Sequence, residues 1–301
     1  MRVAAGDIGT NSTRLLIAEV SARGVQPLAR RVVVTGLGAG VDRTGRLGEA
    51  GVTRTLEVLA AYGATAREAG VAALRVVATA GVRAAADREA FLDRARAALG
   101  VRPEVITGEE EAVLSFEGAT DGSPGPGPYL VIDVGGGSTE FVFGTSAPES
   151  VESIDLGSRR VKERFLPGLP SDPGALEAAR RAAAEVFAGV SMPGVPETVV
   201  GVGGTYTALC AITLGLAVYD PERVHGAAVP LAVLDALVDR LTGLSLEETA
   251  ALPSLDPARA PVLLGGAIVA AEAVRRSGRA QIVVSEADLL DGIAQRLAVG
   301  V

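Results

Sequence analysis

Several residue types on which enzymes commonly rely are nearly missing from this chain. The single cysteine, Cys210, lies in the apolar run "ALCAI", so no intramolecular disulfide can form and core packing is its expected role. The single histidine, His225, sits in the loop-like "DPERVHG", which argues against a histidine metal cluster or a His-centred triad; an ordinary loop or interface residue is expected there. Lys162 is the one lysine among 28 basic residues, and it is far from any glycine cluster. A Walker A loop, which needs Gly-Lys, is therefore excluded, and any phosphate clamp must be built from arginine and backbone. Although 48% of the residues are hydrophobic, no apolar run approaches the ~18–20 residues of a membrane span. Asp7 interrupts the first apolar stretch, so neither a signal peptide nor a membrane partner is expected, and the location expected is cytoplasmic. The net charge of −8 argues against a broad basic face for nucleic acid, while leaving room for an anion held in a locally positive cleft.

Glycine, by contrast, is abundant and clustered. In "VIDVGGGSTEFVFG" (131–144) three glycines separate two strand-like runs. Such a triplet gives up side-chain packing and backbone entropy, which implies either a flexible turn or something that must approach the backbone closely. A dinucleotide fingerprint does not fit, because the residues after the glycines read as a strand and not as a helix. The stretch aligns without a gap with "VAAGDIGTNSTRLLIA" (3–18): Asp7 falls on Asp133, Gly9 on Gly135, Ser12 on Ser138 and Thr13 on Thr139. Arg14 falls on Glu140, a reversal of charge at a matched position. Two copies of strand, Asp-x-Gly turn and strand, half a chain apart, predict a duplicated fold.

The element order supports this. Strands are expected near 2–8, 13–20 and 28–35, then a helix over 48–70, a strand at 74–79, a helix at 87–99, a short strand at 103–106 and a helix from Glu109 to Phe116. The Pro/Gly-rich "TDGSPGPGP" (120–128) reads as a linker. Beyond it, strands near 129–134, 139–144 and 150–155 repeat the opening. Helices over 158–166 and 172–189, a strand at 197–202, a helix from Thr205, a helix-rich stretch over 230–277, a strand at 280–285 and a last helix to 298 complete the chain. The order predicts an α/β protein with duplicated domains of the actin/sugar-kinase/Hsp70 (ribonuclease H-like) type. The boundaries are 1–124 for the first domain and 125–301 for the second, which carries inserted helices; the last helix is a candidate to pack back on the first. In this fold the two Asp-bearing hairpins face each other across a cleft.

A third glycine stretch, "GVGGTYTAL" (201–209), ends a strand and opens a helix, so Gly203, Gly204 and Thr205 would aim backbone N–H groups and a positive helix end at an anion. Asp7, Asp133 and Glu140 flank the hairpin turns; oxygen donors of this kind suit Mg²⁺ or Mn²⁺ beside phosphate, with turn capping as the structural alternative. "ITGEEEAVL" (106–114) sets three glutamates at a strand-to-helix junction, where acids also commonly serve the helix dipole.

Together these segments resemble the exopolyphosphatase/guanosine pentaphosphate phosphohydrolase (Ppx/GppA) family. The resemblance is carried by "AGDIGTNSTRLLIAEV", "GAGVDRTGRLGEAGVTRTLEVL", "VVATAGVRAAAD", "VITGEEEA", "VIDVGGGSTEFVFG", "GVGGTYTAL", "RVHG" and "QIVVSEADLLDG", which span nearly the whole chain. It implies metal-dependent hydrolysis of a terminal phosphate, with Mg²⁺ or Mn²⁺ as cofactor, a monovalent cation as a further stimulant, and a homodimer. Carried over by position, Glu111 corresponds to the base that activates water, with Asp133 and Glu140 as acidic residues around metal and water. Gly135, Gly136, Gly137 and Ser138 match the phosphate-binding hairpin, Asn11, Ser12 and Arg14 the facing one, and Arg83 an arginine of the active cleft.

There are also departures from the family pattern. Asp87 stands where relatives have Asn, Val113 where an Arg is common, and Asp288 and Leu290 fall in a segment that is usually Gly-Leu-Arg. The expected substrate is inorganic polyphosphate, with short chains favoured because the extra C-terminal domains of longer relatives and a long basic track are both missing. A phosphorylated guanine nucleotide, guanosine pentaphosphate, is the alternative substrate. A phosphotransferase or ATPase of the same superfamily, and a non-catalytic polyphosphate or alarmone sensor, are the other classes compatible with these residues.

Overall fold

The computed structural model describes residues 1–121 and 125–299. Gly122, Ser123 and Pro124 of the expected linker, and with them the expected domain boundary, lie outside the described residues. The chain opens with strands β1 (Arg2–Ile8), β2 (Ser12–Ser21) and β3 (Gly24–Val34). Helices α1 (Val41–Thr44) and α2 (Glu49–Glu68) follow, then β4 (Ala73–Ala78), α3 (Ala80–Arg83), α4 (Arg88–Leu99), β5 (Glu104–Val105) and α5 (Gly108–Thr120). The pattern restarts with β6 (Tyr129–Val134), β7 (Thr139–Gly144), β8 (Pro148–Ile154), α6 (Ser158–Phe165), α7 (Pro173–Ala188), β9 (Thr198–Val202) and α8 (Gly203–Thr213). It closes with α9 (Pro221–Val224), β10 (Ala228–Pro230), α10 (Leu231–Thr242), α11 (Leu246–Ala250), α12 (Ala260–Arg276), β11 (Gln281–Val284) and α13 (Leu289–Val299).

Among the described residues, 1–121 with 288–299 form one compact unit, and 125–287 form the other. The final helix therefore groups with the first half of the chain and not with 125–287. Its apolar face supplies the reason: Leu289, Leu290, Ile293 and Ala294 share a buried cluster with Val3, Ala5, Leu16, Ala18 and Leu114. A helix with one such stripe must cover an apolar sheet face to be stable in water.

The sheet of the first unit has the order β3-β2-β1-β4-β5. β1, β2 and β3 are antiparallel, whereas β4 runs parallel to β1 and β5 parallel to β4. The sheet of the second unit, β10-β11-β9-β6-β7-β8, repeats the plan, with β6, β7 and β8 antiparallel and β9 and β11 parallel to β6. The duplicated mixed-sheet α/β fold expected from the sequence is thus present in both halves. β6 and β7 are buried almost throughout, as strands packed on both faces must be, which explains their continuous apolar runs.

Three sequence expectations need correction. β3 begins at Gly24 and not at 28, because Val20 and Val25 pair across a tight turn that an exposed polar stretch does not advertise. β10 was not foreseen: it is three residues long, includes Pro230, and pairs only along the edge with β11, where a missing N–H is tolerated. An apolar helical stretch of membrane length does exist, over Pro257–Arg276, with mean hydropathy 1.3. It forms the core helix of the second unit, burying every residue from Val262 to Val274.

Candidate functional site

In each unit the residues singled out by sequence come together at the carboxyl ends of the parallel strands, where sheets of this kind expose loops and helix N-termini. The two hairpin turns have the same backbone closure. Gly9 N–H donates to the Ser12 carbonyl at 3.0 Å, and Gly135 N–H donates to the Ser138 carbonyl at 3.0 Å. A β-carbon on Gly9 would stand 2.9 Å from the Ser12 oxygen, and one on Gly135 would stand 3.2 Å from the Ser138 oxygen. Close approach of the chain to itself, without positive φ, is therefore what requires glycine at position 9 and favours it at position 135.

The segment that follows each third strand locks the turn in place. In the first unit, the Asn11 carbonyl accepts from Thr35 N–H at 3.1 Å and Gly36 N–H at 2.9 Å, and the Thr10 carbonyl accepts from Gly38 N–H at 2.8 Å. In the second, the carbonyls of Gly135 and Gly136 accept from Ser158 N–H and Arg159 N–H, both at 2.9 Å, at the start of α6. The glycine triplet is thus a braced turn and not a flexible one. Ser138 and Asn11 are buried, and Ser12 is half-buried.

Asp7 and Arg14 are register partners across β1 and β2, and Arg14 Nε donates to Asp7 Oδ2 at 2.9 Å. The other Asp7 oxygen, Oδ1, is buried without a hydrogen bond. Burial raises the Asp7 carboxyl pKa above its ordinary 3.8, against the pull of Arg14. The matched pair in the second unit, Asp133 and Glu140, faces across β6 and β7 in the same register. Both carboxylates are buried, and Ser153 Oγ donates to Glu140 Oε1 at 2.8 Å.

Of the three consecutive glutamates, the fold selects one. Thr107 caps α5 through the Glu110 N–H, and the first turn leaves Glu109 exposed and Glu110 paired with Arg75 at 3.0 Å. Glu111 alone turns inward and is 8% exposed. Arg83, at the end of α3, donates from Nη1 to Glu111 Oε2 at 3.3 Å and to the Ile106 carbonyl at 2.9 Å. Packing of α3 against the first hairpin fixes this arrangement, since a β-carbon on Gly81 would lie 3.0 Å from Thr10 Cα.

At the end of β9, Gly203 adopts φ +80°, and a β-carbon there would lie 2.6 Å from Asp133 Oδ1. The residue that opens α8 must therefore be glycine, to make room for the carboxylate. Thr205 Oγ1 donates to the Val134 carbonyl at 2.8 Å, which ties α8 to the end of β6.

Sequence reasoning missed Arg259, whose Nη1 donates to the Gly204 carbonyl at 3.0 Å. The Asp-Pro helix-start signal at Asp256-Pro257 marked its neighbourhood but not its reach. It also missed Arg30 and Asp291, which form an ion pair at 2.5 Å in the first unit. Asp288, noted from sequence only as a departure, ion-pairs with Arg14. Cys210 is fully buried in the core, and His225 Nδ1 accepts the Glu286 N–H at 3.2 Å.

Residues 16–298 match the model of the Ppx/GppA phosphatase family. Exopolyphosphatase 2 of Mycobacterium tuberculosis is 41% identical over 99% of this chain and 98% of its own length. Guanosine-5'-triphosphate,3'-diphosphate pyrophosphatase of Photobacterium profundum is 31% identical over 83% of this chain and 52% of its own. Among solved structures, one described as an exopolyphosphatase-like protein superposes with a TM-score of 0.91 at 34% identity, covering 99% of this chain and 100% of that one. The Aquifex aeolicus member of the Ppx/GppA family superposes with a TM-score of 0.84 at 30% identity, covering 100% and 98%. A family match over nearly the whole chain, with a relative 41% identical over 99% of it, gives one conclusion: the chain belongs to the Ppx/GppA phosphatase family.

Proposed function

We propose that the protein is a phosphoanhydride hydrolase, and specifically an exopolyphosphatase that removes the terminal phosphate of inorganic polyphosphate. The observation that carries this reading is Glu111: a buried carboxylate at a helix start, held by an arginine, while Glu109 is exposed and Glu110 pairs with Arg75. Hydrolysis forms one bond from a water oxygen to the terminal phosphorus and breaks the bond to the bridging oxygen. Glu111 takes the proton from that water, and Arg83 fixes the carboxylate that receives it. The donors suited to charge on the equatorial oxygens are, in the first unit, the Arg14 guanidinium and, in the second, the backbone N–H groups of Gly136, Gly137 and the N-terminus of α8. The name of the Mycobacterium tuberculosis relative supports polyphosphate as the substrate.

A divalent cation is part of this proposal. Among the described residues no group of three His, Cys, Asp or Glu forms a ready-made cage. Mg²⁺ commonly needs only one or two carboxylates together with waters and substrate phosphate, so the donor set fits it. The buried register pair Asp133 and Glu140 of the second unit are the oxygens that would serve. When bound, the cation supplies neutralising charge to the phosphate chain. Guanosine pentaphosphate is the second reading, favoured by the resemblance to the Photobacterium profundum pyrophosphatase. A cytoplasmic homodimer completes the proposal.

Orthophosphate release from short polyphosphate, long polyphosphate and guanosine pentaphosphate, with Mg²⁺ or Mn²⁺ and again with a chelator, tests it. Glu111→Ala is expected to lower release by about 10²–10⁴-fold, the usual contribution of a positioned base. Absence of release from all three substrates by folded wild-type protein would refute the reading.

A further inference from the structure

Asp288 stands just before α13 and uses its two carboxylate oxygens differently. Oδ1 accepts the Leu290 N–H at 3.0 Å and so caps the helix. Oδ2 ion-pairs with Arg14 Nη1, while Asp7 holds Nε of the same guanidinium at 2.9 Å. Arg30 adds a second cation, with Nη1 3.8 Å from Asp288 Oδ1 and Nη2 2.5 Å from Asp291 Oδ2. The side chains of Asp7, Asp288 and Asp291 are no more than 7% exposed. Three carboxylates thus surround two guanidiniums.

The fold does not require a charge at position 288. Asparagine or serine caps a helix as well as aspartate does. Nor is Asp288 needed to aim Arg14, which Asp7 already holds from its register position across the hairpin. What the carboxylate adds is negative potential beside an arginine at the end of the β1–β2 hairpin. We propose that Asp288 is a specificity-determining residue: it limits the pull of Arg14 on a polyanion, so that removing its charge tightens substrate binding, most of all for the longest chains. This deepens the hydrolase reading and rests on it.

Asp288→Asn keeps a cap acceptor and removes the charge; Asp288→Ser keeps the cap and removes the reach to Arg14. For both, KM is expected to fall about fivefold to tenfold at low salt, the scale of one unit charge acting across about 4 Å at the dielectric of water. kcat should change little, the fall should be larger for long polyphosphate than for tripolyphosphate, and it should shrink as salt is added. Calorimetric binding of tripolyphosphate to Glu111→Gln protein, with and without Asp288→Asn, should show the same gain in affinity without turnover. Unchanged or weaker binding in the folded variants, with wild-type protein active, overturns the role of Asp288 and leaves the hydrolase reading standing; weaker binding would mean that the ion pair serves to orient Arg14. No phosphate release by wild-type protein refutes the hydrolase reading itself, while the calorimetry still decides whether Asp288 governs anion affinity.

Discussion

Replacing Gly203 by alanine would put two separate strains on the second unit, and a second glycine allows them to be told apart. Gly203 holds φ +80° and Gly278 holds φ +70°, both in the left-handed region. Alanine in that region costs about 1 kcal/mol. Around Gly278 a new β-carbon meets nothing within 4 Å, so this backbone cost is all that Gly278→Ala incurs. At Gly203 the β-carbon would lie 2.6 Å from Asp133 Oδ1. Asp133 cannot move aside with its backbone, because β6 is paired on one side with β7 and on the other with β9. The carboxylate must rotate away from its present position, and overpacking of this kind adds about 2 kcal/mol. At roughly 2–4 °C per kcal/mol for a unit of this size, Gly203→Ala should melt about 4–8 °C below Gly278→Ala. Differential scanning calorimetry of the two variants measures this difference directly. Phosphate release should be unchanged in Gly278→Ala and lower by about a hundredfold in Gly203→Ala, the scale of a 1 Å misplacement at a reacting centre. Equal melting shifts would refute the steric argument. Full turnover in a folded Gly203→Ala protein would remove Asp133 from the reaction.

Burial pushes the Cys210 thiol up to about 11 and closes it off from solvent, so a thiol reagent at mildly alkaline pH should label it only as fast as the second unit opens. Labelling within the mixing time in native buffer would contradict the packing described here. Tyr62 donates its hydroxyl to the Thr13 carbonyl at 3.1 Å, and burial raises its pKa from 10.0 to about 12. Because the folded value is the higher one, the stabilisation is complete below pH 10.0 and is lost as pH rises through about 12. The melting difference between wild type and Tyr62→Phe should therefore stay flat below that window and shrink across it; a difference that grows there would reverse the sign.

The duplication was legible because it is written in residues whose chemistry is local. An aspartate at a strand end and a glycine two positions on recur in both halves, and each pair builds the same closed turn. The succession of strands and helices, with three strands opening each half and a helix-rich second half, followed from periodicity, and the mixed-sheet plan from that order together with the duplication. The allegiance of the last helix was harder to read, because Leu289, Leu290, Ile293 and Ala294 form a stripe that would suit either core; only the complementary face of β1 and β2 decides it. Glu111 could be separated from Glu109 and Glu110 only by motif resemblance, since all three suit a helix start. The structure separates them by the direction of one helical turn. Arg259, Arg30 and Asp291 carried no local signal, because their partners are remote in sequence and ion pairs between distant segments leave no spacing to read.

The two hairpins also show how a duplicated backbone acquires two chemistries. Asp7 faces Arg14 across β1 and β2, and Asp133 faces Glu140 across β6 and β7, in matching registers. The first pair is a salt bridge between opposite charges. The second sets like charges opposite each other in a buried sheet, an arrangement that is destabilising when only the two side chains are counted. Under the proposed function a divalent cation beside Asp133 and Glu140 would turn that repulsion into coordination. On this argument the exchange of Arg14 for Glu140 divides the labour of one fold. Under the proposed function the first copy would hold anionic oxygen through the Arg14 guanidinium, and the second the cation that such an anion brings with it.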